Sequence, residues 1–318
     1  MTLTVGSNFE DPPSSQRTLL FQHSRKEAIS RGGIYFCRWI VHVRGLVLEW
    51  SGLRGVMLSG VMRRRYLLGI AIAGAGFAAR RVAVIAHRGE HLKHPENSLP
   101  GIEAAIEAGV DYVELDVRTT RDGRLVLMHD ATVDARTNGR GAVKDLSFAE
   151  IQTLDCGIKT NGKFAGTRVP GFEEALQSLK SRCGLYLDWK AADASALVEA
   201  LRQHEMVSRT VVYGSFAGLV ELRKLEPKLR VMPEAVSLAV LRQSLQSLQP
   251  SVVAFDRRDF VDEIIAVARE AKADVFVDRL GPDDTEAGWL DAVARGATGI
   301  QTDHPAELIA VLRNKGWR

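Results

Sequence analysis

From residue 82 onward the chain repeats one device: a short apolar run, then a longer stretch with apolar residues three and four apart. The short runs are Val82–Ala86, Asp111–Val117, Leu185–Trp189, Thr210–Tyr213, Leu229–Met232, Val252–Phe255, Asp274–Val277 and Ala297–Gln301. Between them lie "SLPGIEAAIEAG", "ASALVEALRQHE", "GLVELRKLEP", "SLAVLRQSLQSL" and "VDEIIAVAREAK". The first pattern marks buried strands and the second amphipathic helices. Strands separated by helices of this length run parallel, because a parallel neighbour needs a crossover of a dozen or more residues. Eight of them predict an α/β fold, a (β/α)8 TIM barrel.

One run breaks the rhythm. "RLVLMHD" follows "VELDVRT" after only "TRDG". That link is too short for a parallel return. Asp122-Gly123 is a hairpin signal, since glycine tolerates the positive φ of a tight turn. Residues 112–130 therefore read as the second strand plus a hairpin rising above the barrel. Residues 131–170, rich in Gly, Thr and Asn, continue as a loop insertion before the third strand, and loops of that length usually carry function.

The first eighty residues differ. "MRRRYLLGIAIAGAGFAA", residues 62–79, has a basic start and a small-residue apolar stretch, the layout of an export signal. Its paired arginines before an apolar pair fit a twin-arginine type. The stretch is shorter than the roughly 20 residues of a spanning helix. Export to the periplasm or outside is the expectation; an unused signal would leave a cytoplasmic or membrane-anchored protein. Residues 1–61 precede it and are expected to be disordered, or a mis-annotated extension without a stable fold, translation starting at Met62 or Met57. The folded domain is then 80–318.

In a barrel of this class chemistry gathers at the C-terminal ends of the strands. Those ends carry His87-Arg88, Glu114-x-Asp116, Asp188-x-Lys190, Ser215, Glu234, Asp256, Asp278 and Asp303, and the hairpin returns His129-Asp130 to the same mouth. A lone Glu-x-Asp is usually a solvated pair. Here it interrupts the apolar "YVELDV", so both carboxylates point inward and need a cationic partner. Oxygen ligands from Glu114, Asp116 and Asp188 suit a hard divalent cation, Mg2+ or Ca2+. The Arg88 fork suits a pair of phosphate oxygens. Asn97 or Ser98 can cap the helix after "HPENS". Asp130, Ser215, Asp256 and Asp303 read as hydrogen-bonding or capping residues.

The net charge of +3 comes without a basic stripe interleaved with aromatics, so nucleic acid is not an expected partner. The three cysteines show no C-x-x-C spacing, so the sequence gives no support for a zinc knuckle or a redox motif. Cys156 and Cys183 are expected to be free thiols. Nothing in the sequence sets an oligomeric state.

The stretches "AHRGEHLKHPENS", "GVDYVELDVRTTRDGRLVLMHDATVDARTNGRG", "LSFAEIQTLDCG", "VPGFEEAL", "LYLDWK", "YGSF" and "GATGIQTDHPAEL" resemble, in order, the glycerophosphodiester phosphodiesterase family. The resemblance spans residues 83–310. It implies a (β/α)8 barrel with an insertion after strand two. It implies catalytic histidines at His87 and His129, a metal held by Glu114, Asp116 and a strand-three carboxylate, and phosphate contacts from Arg88 and Lys190. Glu96 would lie in or next to the metal shell. Two departures stand out. Asp188 replaces the usual glutamate, so the metal would sit nearer strand three or be bridged by water. "VFVDRLG" replaces "WTVN", putting Asp278 near an asparagine position, and Glu234 and Asp278 could add metal or hydroxyl contacts. The implied reaction is metal-dependent hydrolysis of a small glycerophosphodiester to glycerol 3-phosphate and an alcohol, with two histidines exchanging protons. A lysophospholipase D or sphingomyelinase D type of lipid substrate, from a membrane, is the nearest rival. A non-catalytic polyol-phosphate binding protein is the rival from another class.

Overall fold

The computed structural model describes residues 25–31, 34–43, 46–54, 81–160 and 162–318. The chain divides into two units, Met1–Gly76 and Phe77–Arg318. In the first, β1 (Arg25–Arg31), β2 (Ile34–Val43) and β3 (Leu46–Arg54) form an antiparallel sheet in that order. Part of the segment expected to lack a stable fold is thus a three-stranded meander. The export-like stretch 62–79 and both start sites lie outside the described residues.

The second unit holds β4 (Ala83–Ala86), β5 (Tyr112–Thr119), β6 (Leu125–Leu127), β7 (Gly184–Ala191), β8 (Thr210–Tyr213), β9 (Arg230–Met232), β10 (Val252–Phe255), β11 (Asp274–Asp278) and β12 (Gly299–Thr302). Eight of these are parallel, in the order β10-β11-β12-β4-β5-β7-β8-β9. The two ends meet through a parallel bridge between Glu234 and Ala254. There Ala235 N–H donates to the Ala254 carbonyl at 2.9 Å and Ala254 N–H to that of Pro233 at 3.0 Å. The ring is a (β/α)8 barrel. β6 alone is antiparallel, pairing Leu127, Val126 and Leu125 with Val117, Arg118 and Thr119. Gly123, at φ +80°, makes the expected turn.

Side chains on a strand alternate between its faces. One set, including Val84, Val113, Leu115, Leu185, Leu187, Val212 and Val253, packs outward against helical residues such as Ile102, Leu176, Leu197, Leu219 and Ile265. The other set fills the barrel: Ile85, Tyr186, Val211, Met232, Ala254 and Phe276 form an inner cluster. Two residues beyond each of these, on the same face, stand His87, Asp188, Tyr213, Glu234, Asp256 and Asp278. The apolar plug therefore ends in one layer and a polar mouth begins in the next.

The insertion after β6 has its own small core of Val126, Met128, Val133, Val143, Ile151, Cys156 and Val169. Its helix Phe148–Gln152 begins with a reciprocal cap: Ser147 Oγ accepts from Glu150 N–H, and Glu150 Oε2 accepts from Ser147 N–H at 2.7 Å. Cys156 and Cys183 are buried and unpaired with each other, as expected. Burial pushes both thiols up to about 12.

Candidate active site

β4 stops at Ala86, and the next residues turn sharply. Arg88 and Gly89 have φ of 53° and 83°. A Cβ on Gly89 would lie 2.8 Å from the Gly101 carbonyl carbon, so only glycine fits. The loop folds onto the start of helix Leu99–Ala108: Glu90 N–H donates to the Gly101 carbonyl at 2.9 Å, and Asn97 N–H to that of Arg88 at 3.0 Å. Ser98, not Asn97, caps that helix, its Oγ accepting from Gly101 N–H. Asn97 is buried and clamps Asp116 instead. Its Nδ2 donates to Asp116 Oδ2 at 2.7 Å, and its Oδ1 accepts from Asp116 N–H at 3.0 Å.

Glu114, Asp116 and Asp188 converge, with one oxygen of each within 4.8 Å of the others. Asp188 thus reaches the other two despite its shorter side chain. Glu114 Oε2 accepts from Arg88 N–H at 2.7 Å. Asp116 Oδ1 is buried without a hydrogen-bond donor, the nearest cation being the Lys190 ammonium at 3.4 Å. Burial, then the charges of Asp116 and Asp188, pushes the Glu114 carboxyl well above its usual range. Burial raises Asp188 too, against the pull of Lys190 at 2.7 Å. An orphaned buried oxygen and mutually repelling carboxylates are the donor set a hard divalent cation satisfies. Glu234 and Asp278, considered as further metal contacts, belong to no such cluster among the described residues. Glu234 accepts from the Tyr213 hydroxyl at 2.9 Å. Asp278 is pushed up to about 7 by burial and by the charges of Asp256, Asp188 and Glu234.

His87 Nδ1 lies 2.7 Å from Asp303 Oδ1, and His91 Nε2 lies 2.8 Å from the same oxygen. A carboxylate accepts only, so each imidazole donates there, and His87 keeps a free lone pair on Nε2. Burial lowers the His87 pKa, and the Asp303 hydrogen bond only partly opposes it. Burial alone would raise Asp303, but the hydrogen bonds from His87 and His91 hold it far below the carboxylate range. His129, after β6, repeats the pattern with its Nδ1 2.8 Å from Asp130 Oδ1. Its carbonyl accepts from Arg118 Nη2 at 2.6 Å and Nε at 3.1 Å. Arg88 Nη1 sits 3.1 Å from both Glu96 oxygens, which also draw Arg136. Arg88 Nε is buried without an acceptor.

A cavity of about 300 Å³ opens beside His129, floored by Leu127, Met128, Cys156 and Val169, with His94, Arg136 and Lys159 among its walls. The structure therefore gathers Arg88, Glu96, Asn97, Glu114, Asp116, Asp188 and Lys190 into one linked group, with His87 beside it. His129 is close enough for its charge to act on Asp188. Ser215 caps helix Phe216–Leu225 and Asp256 binds Arg258, as expected of them. Sequence reasoning passed over His91 and Arg118. Arg118 was findable, because it lies on the face of Glu114 and Asp116 at the next period-two position.

The description "Glycerophosphoryl diester phosphodiesterase family" matches residues 87–307. A glycerophosphodiester phosphodiesterase of Caldanaerobacter subterraneus subsp. tengcongensis is 32% identical over 256 residues, 74% of this chain and 100% of that one. One from Bacillus subtilis is 32% identical over 47% of this chain and 58% of its own length. Among solved structures, a glycerophosphodiester phosphodiesterase from Agrobacterium tumefaciens superposes with a TM-score of 0.67 at 28% identity, covering 72% of this chain and 99% of that one. An Oleispira antarctica phosphodiesterase, solved with the product sn-glycerol-3-phosphate, has the same fold at 24% identity, TM-score 0.67, over 73% and 96%. With eight barrel strands, the matched span and these relatives in agreement, the chain belongs to the glycerophosphodiester phosphodiesterase family of phosphoric diester hydrolases.

Proposed function

We propose that the protein hydrolyses glycerophosphodiesters to glycerol 3-phosphate and an alcohol, and that His87 and His129 move the protons. The observation that carries this is the pair of carboxylate-held imidazoles, His87 on Asp303 and His129 on Asp130, beside the three-carboxylate cluster. Asp303 and Asp130 keep the Nδ1 protons in place, so each ring works through Nε2. His87, with its pKa lowered by burial, is neutral at pH 7 and takes the proton of the attacking hydroxyl. His129 delivers a proton to the departing alkoxide. Arg88 and Lys190 lie next to the cluster and offset charge on the phosphate oxygens. Glu114, Asp116 and Asp188 would hold Mg2+ or Ca2+, which supplies charge neutralisation of the phosphoryl oxygens.

His129→Ala and His87→Ala each abolish release of alcohol from glycerophosphocholine while the circular dichroism spectrum stays native. Full activity in either variant would refute the assignment. EDTA abolishes activity and added Mg2+ or Ca2+ restores it; a chelator-insensitive enzyme removes the metal role.

One observation favours a lipid substrate as a second reading. Leu92 and Ile158 are each 51% exposed, Leu92 lining the cavity and Ile158 preceding Lys159 of its wall. Leu92, with Leu127, Met128 and Val169, gives an otherwise polar cavity one apolar side on which an acyl chain could lie. Turnover of lysophosphatidylcholine against glycerophosphocholine decides between them. Export through residues 62–79 belongs to the same proposal, since it would place the enzyme among membrane-derived head groups.

A further inference from the structure

Beyond the carboxylate cluster, a second group of ligand atoms converges where β4 and β12 end. His87 Nδ1, His91 Nε2 and Asp303 Oδ1 all lie within 4.8 Å of one another. The two nitrogens stand 2.7 and 2.8 Å from the one oxygen. Asp130 holds His129 with no second imidazole, so His91 is not needed for a carboxylate to orient a histidine. The rings of His87 and His91 are at 88° to each other, with centroids 5.3 Å apart. Two imidazoles on one tetrahedral Zn2+, bonded at about 2.0–2.1 Å, have their centroids about 5 Å apart. Ligand atoms around such an ion are ~3.3 Å from one another, so each nitrogen has to back away from Asp303 by only about half an ångström. Side-chain exposures of 16%, 18% and 22% leave one side open to a water, the fourth ligand of an open zinc site. Asp303 is braced from behind. Its N–H donates to Asp284 Oδ2 at 2.6 Å, and Asp284 Oδ1 accepts from Trp289 Nε1 at 2.7 Å.

We propose that His87, His91 and Asp303 form a zinc-type site separate from the carboxylate cluster, and that Zn2+ bound there silences the enzyme. Ligand chemistry divides the two sites. Glu114, Asp116 and Asp188 offer oxygen alone, which suits Mg2+ or Ca2+. Two imidazoles and one carboxylate suit Zn2+. A metal on His87 takes the Nδ1 lone pair. The ring stays neutral, and its single N–H proton passes through solvent from Nδ1 to Nε2, with none released. Nε2 then has no lone pair with which to accept the proton of the attacking hydroxyl. The silencing rests on the role given to His87 above; the site itself does not.

Co2+ is the probe, because a tetrahedral site with nitrogen ligands gives it strong visible bands and a six-coordinate oxygen site gives weak ones. With the carboxylate cluster filled by excess Ca2+, the native protein takes up Co2+ with strong bands, and Zn2+ bleaches them. His91→Ala and His91→Gln each weaken that uptake by roughly a hundredfold or more, above the 10–100-fold that loss of a supporting residue costs. The Zn2+ concentration that halves turnover of glycerophosphocholine in excess Ca2+ rises by the same factor. The Ca2+-dependent rise in Tm stays native in both variants, so the loss of the bands is not a loss of the fold. Strong bands that persist in both variants, or only weak bands in the native protein, overturn the site. Strong bands lost in the variants, with native turnover indifferent to Zn2+, uphold the site and count against His87 as the base. The same bands in a protein inactive on every diester uphold the site and refute the phosphodiesterase reading instead.

Discussion

Asp303→Asn is the most informative single change in the chain. Asp303 Oδ1 accepts from His87 at 2.7 Å and from His91 at 2.8 Å. Its own backbone N–H is held by Asp284 Oδ2 at 2.6 Å, so the position itself stays put when the side chain changes. An asparagine fits the space but removes the charge. If it presents its NH2 to His87, the ring must carry its proton on Nε2, where a lone pair is needed. An Asp-to-Asn change beneath a catalytic histidine costs up to about 10⁴ in kcat in hydrolases that use the same pairing. A fall of roughly 10²–10⁴ is expected here, or about 3–5 kcal/mol at 1.36 kcal/mol per decade. KM should change little, because Asp303 lies behind the imidazole rather than against the substrate. The pH profile supplies a second reading. Burial lowers the His87 pKa, while Asp303 raises it by hydrogen bond and charge. The acidic limb of kcat/KM, which requires neutral His87, therefore lies below pH 6.5 in the native enzyme and moves lower still in the variant. A kcat within threefold of native, together with an unshifted limb, would show that Asp303 does not position His87.

Cation binding should be visible in stability without any assay of activity. Glu114, Asp188 and Asp278 have raised pKa values in the folded chain, so their contribution to the stability of the cation-free fold is present at low pH and is lost as pH rises from about 4 towards 7, while that of Asp303, held low by His87 and His91, is lost as pH falls below about 4. Ca2+ or Mg2+ at a hundred times its dissociation constant restores about 2.7 kcal/mol, a Tm rise on the order of 5–11 °C for a domain of this size. Glu114→Gln raises the Tm in EDTA and removes most of the cation-dependent rise; an unchanged rise places the ion elsewhere. Arg118→Met releases the His129 carbonyl and lowers kcat by roughly ten- to hundredfold, the worth of a charged hydrogen bond; unaltered kinetics would make Arg118 a bystander. Gly89→Ala drives a Cβ into the Gly101 backbone at 2.8 Å and costs about 2 kcal/mol or more in urea unfolding. N-terminal sequencing of the natural protein finds a chain beginning after residue 79; a chain retaining residues 1–61 removes the export proposal.

The barrel was legible because each strand is a dense apolar run and its helix an amphipathic one, two periods that do not blur. Val252–Phe255 and Thr210–Tyr213 begin and end where expected. β5 and β7 run further, to Thr119 and Ala191, because the hairpin and the Arg118–Ala191 pairing prolong them. The carboxylate cluster could be anticipated, since Glu114 and Asp116 interrupt an apolar strand. What the linear order hides is the work of closure. Asp303 reads as an ordinary loop residue, yet it is 216 positions from the histidine it holds, and only the pairing of β12 with β4 makes them neighbours. Asn97 likewise reads as a helix cap until β5 comes alongside. His91 gave little warning beyond the crowding of histidines in "HRGEHLKH".

The insertion packs around its own seven buried side chains, apart from the barrel's inner and outer layers. Two bodies of separate cohesion thus share one reaction centre. His87 and the three carboxylates belong to the barrel, while His129 rides on the hairpin that carries the insertion. Segments with small independent cores open at lower free energy than the whole. Mild heat or denaturant should therefore open the insertion and the cavity it walls while the barrel, the cation site, His87 and His129, the last tied to β5 through β6 and Arg118, remain folded. Activity would fade ahead of global unfolding, and amide exchange would be fastest between residues 131 and 170. For a hydrolase this divides labour: the rigid body keeps the geometry of the phosphate, and the looser one sets how readily an alcohol enters and leaves.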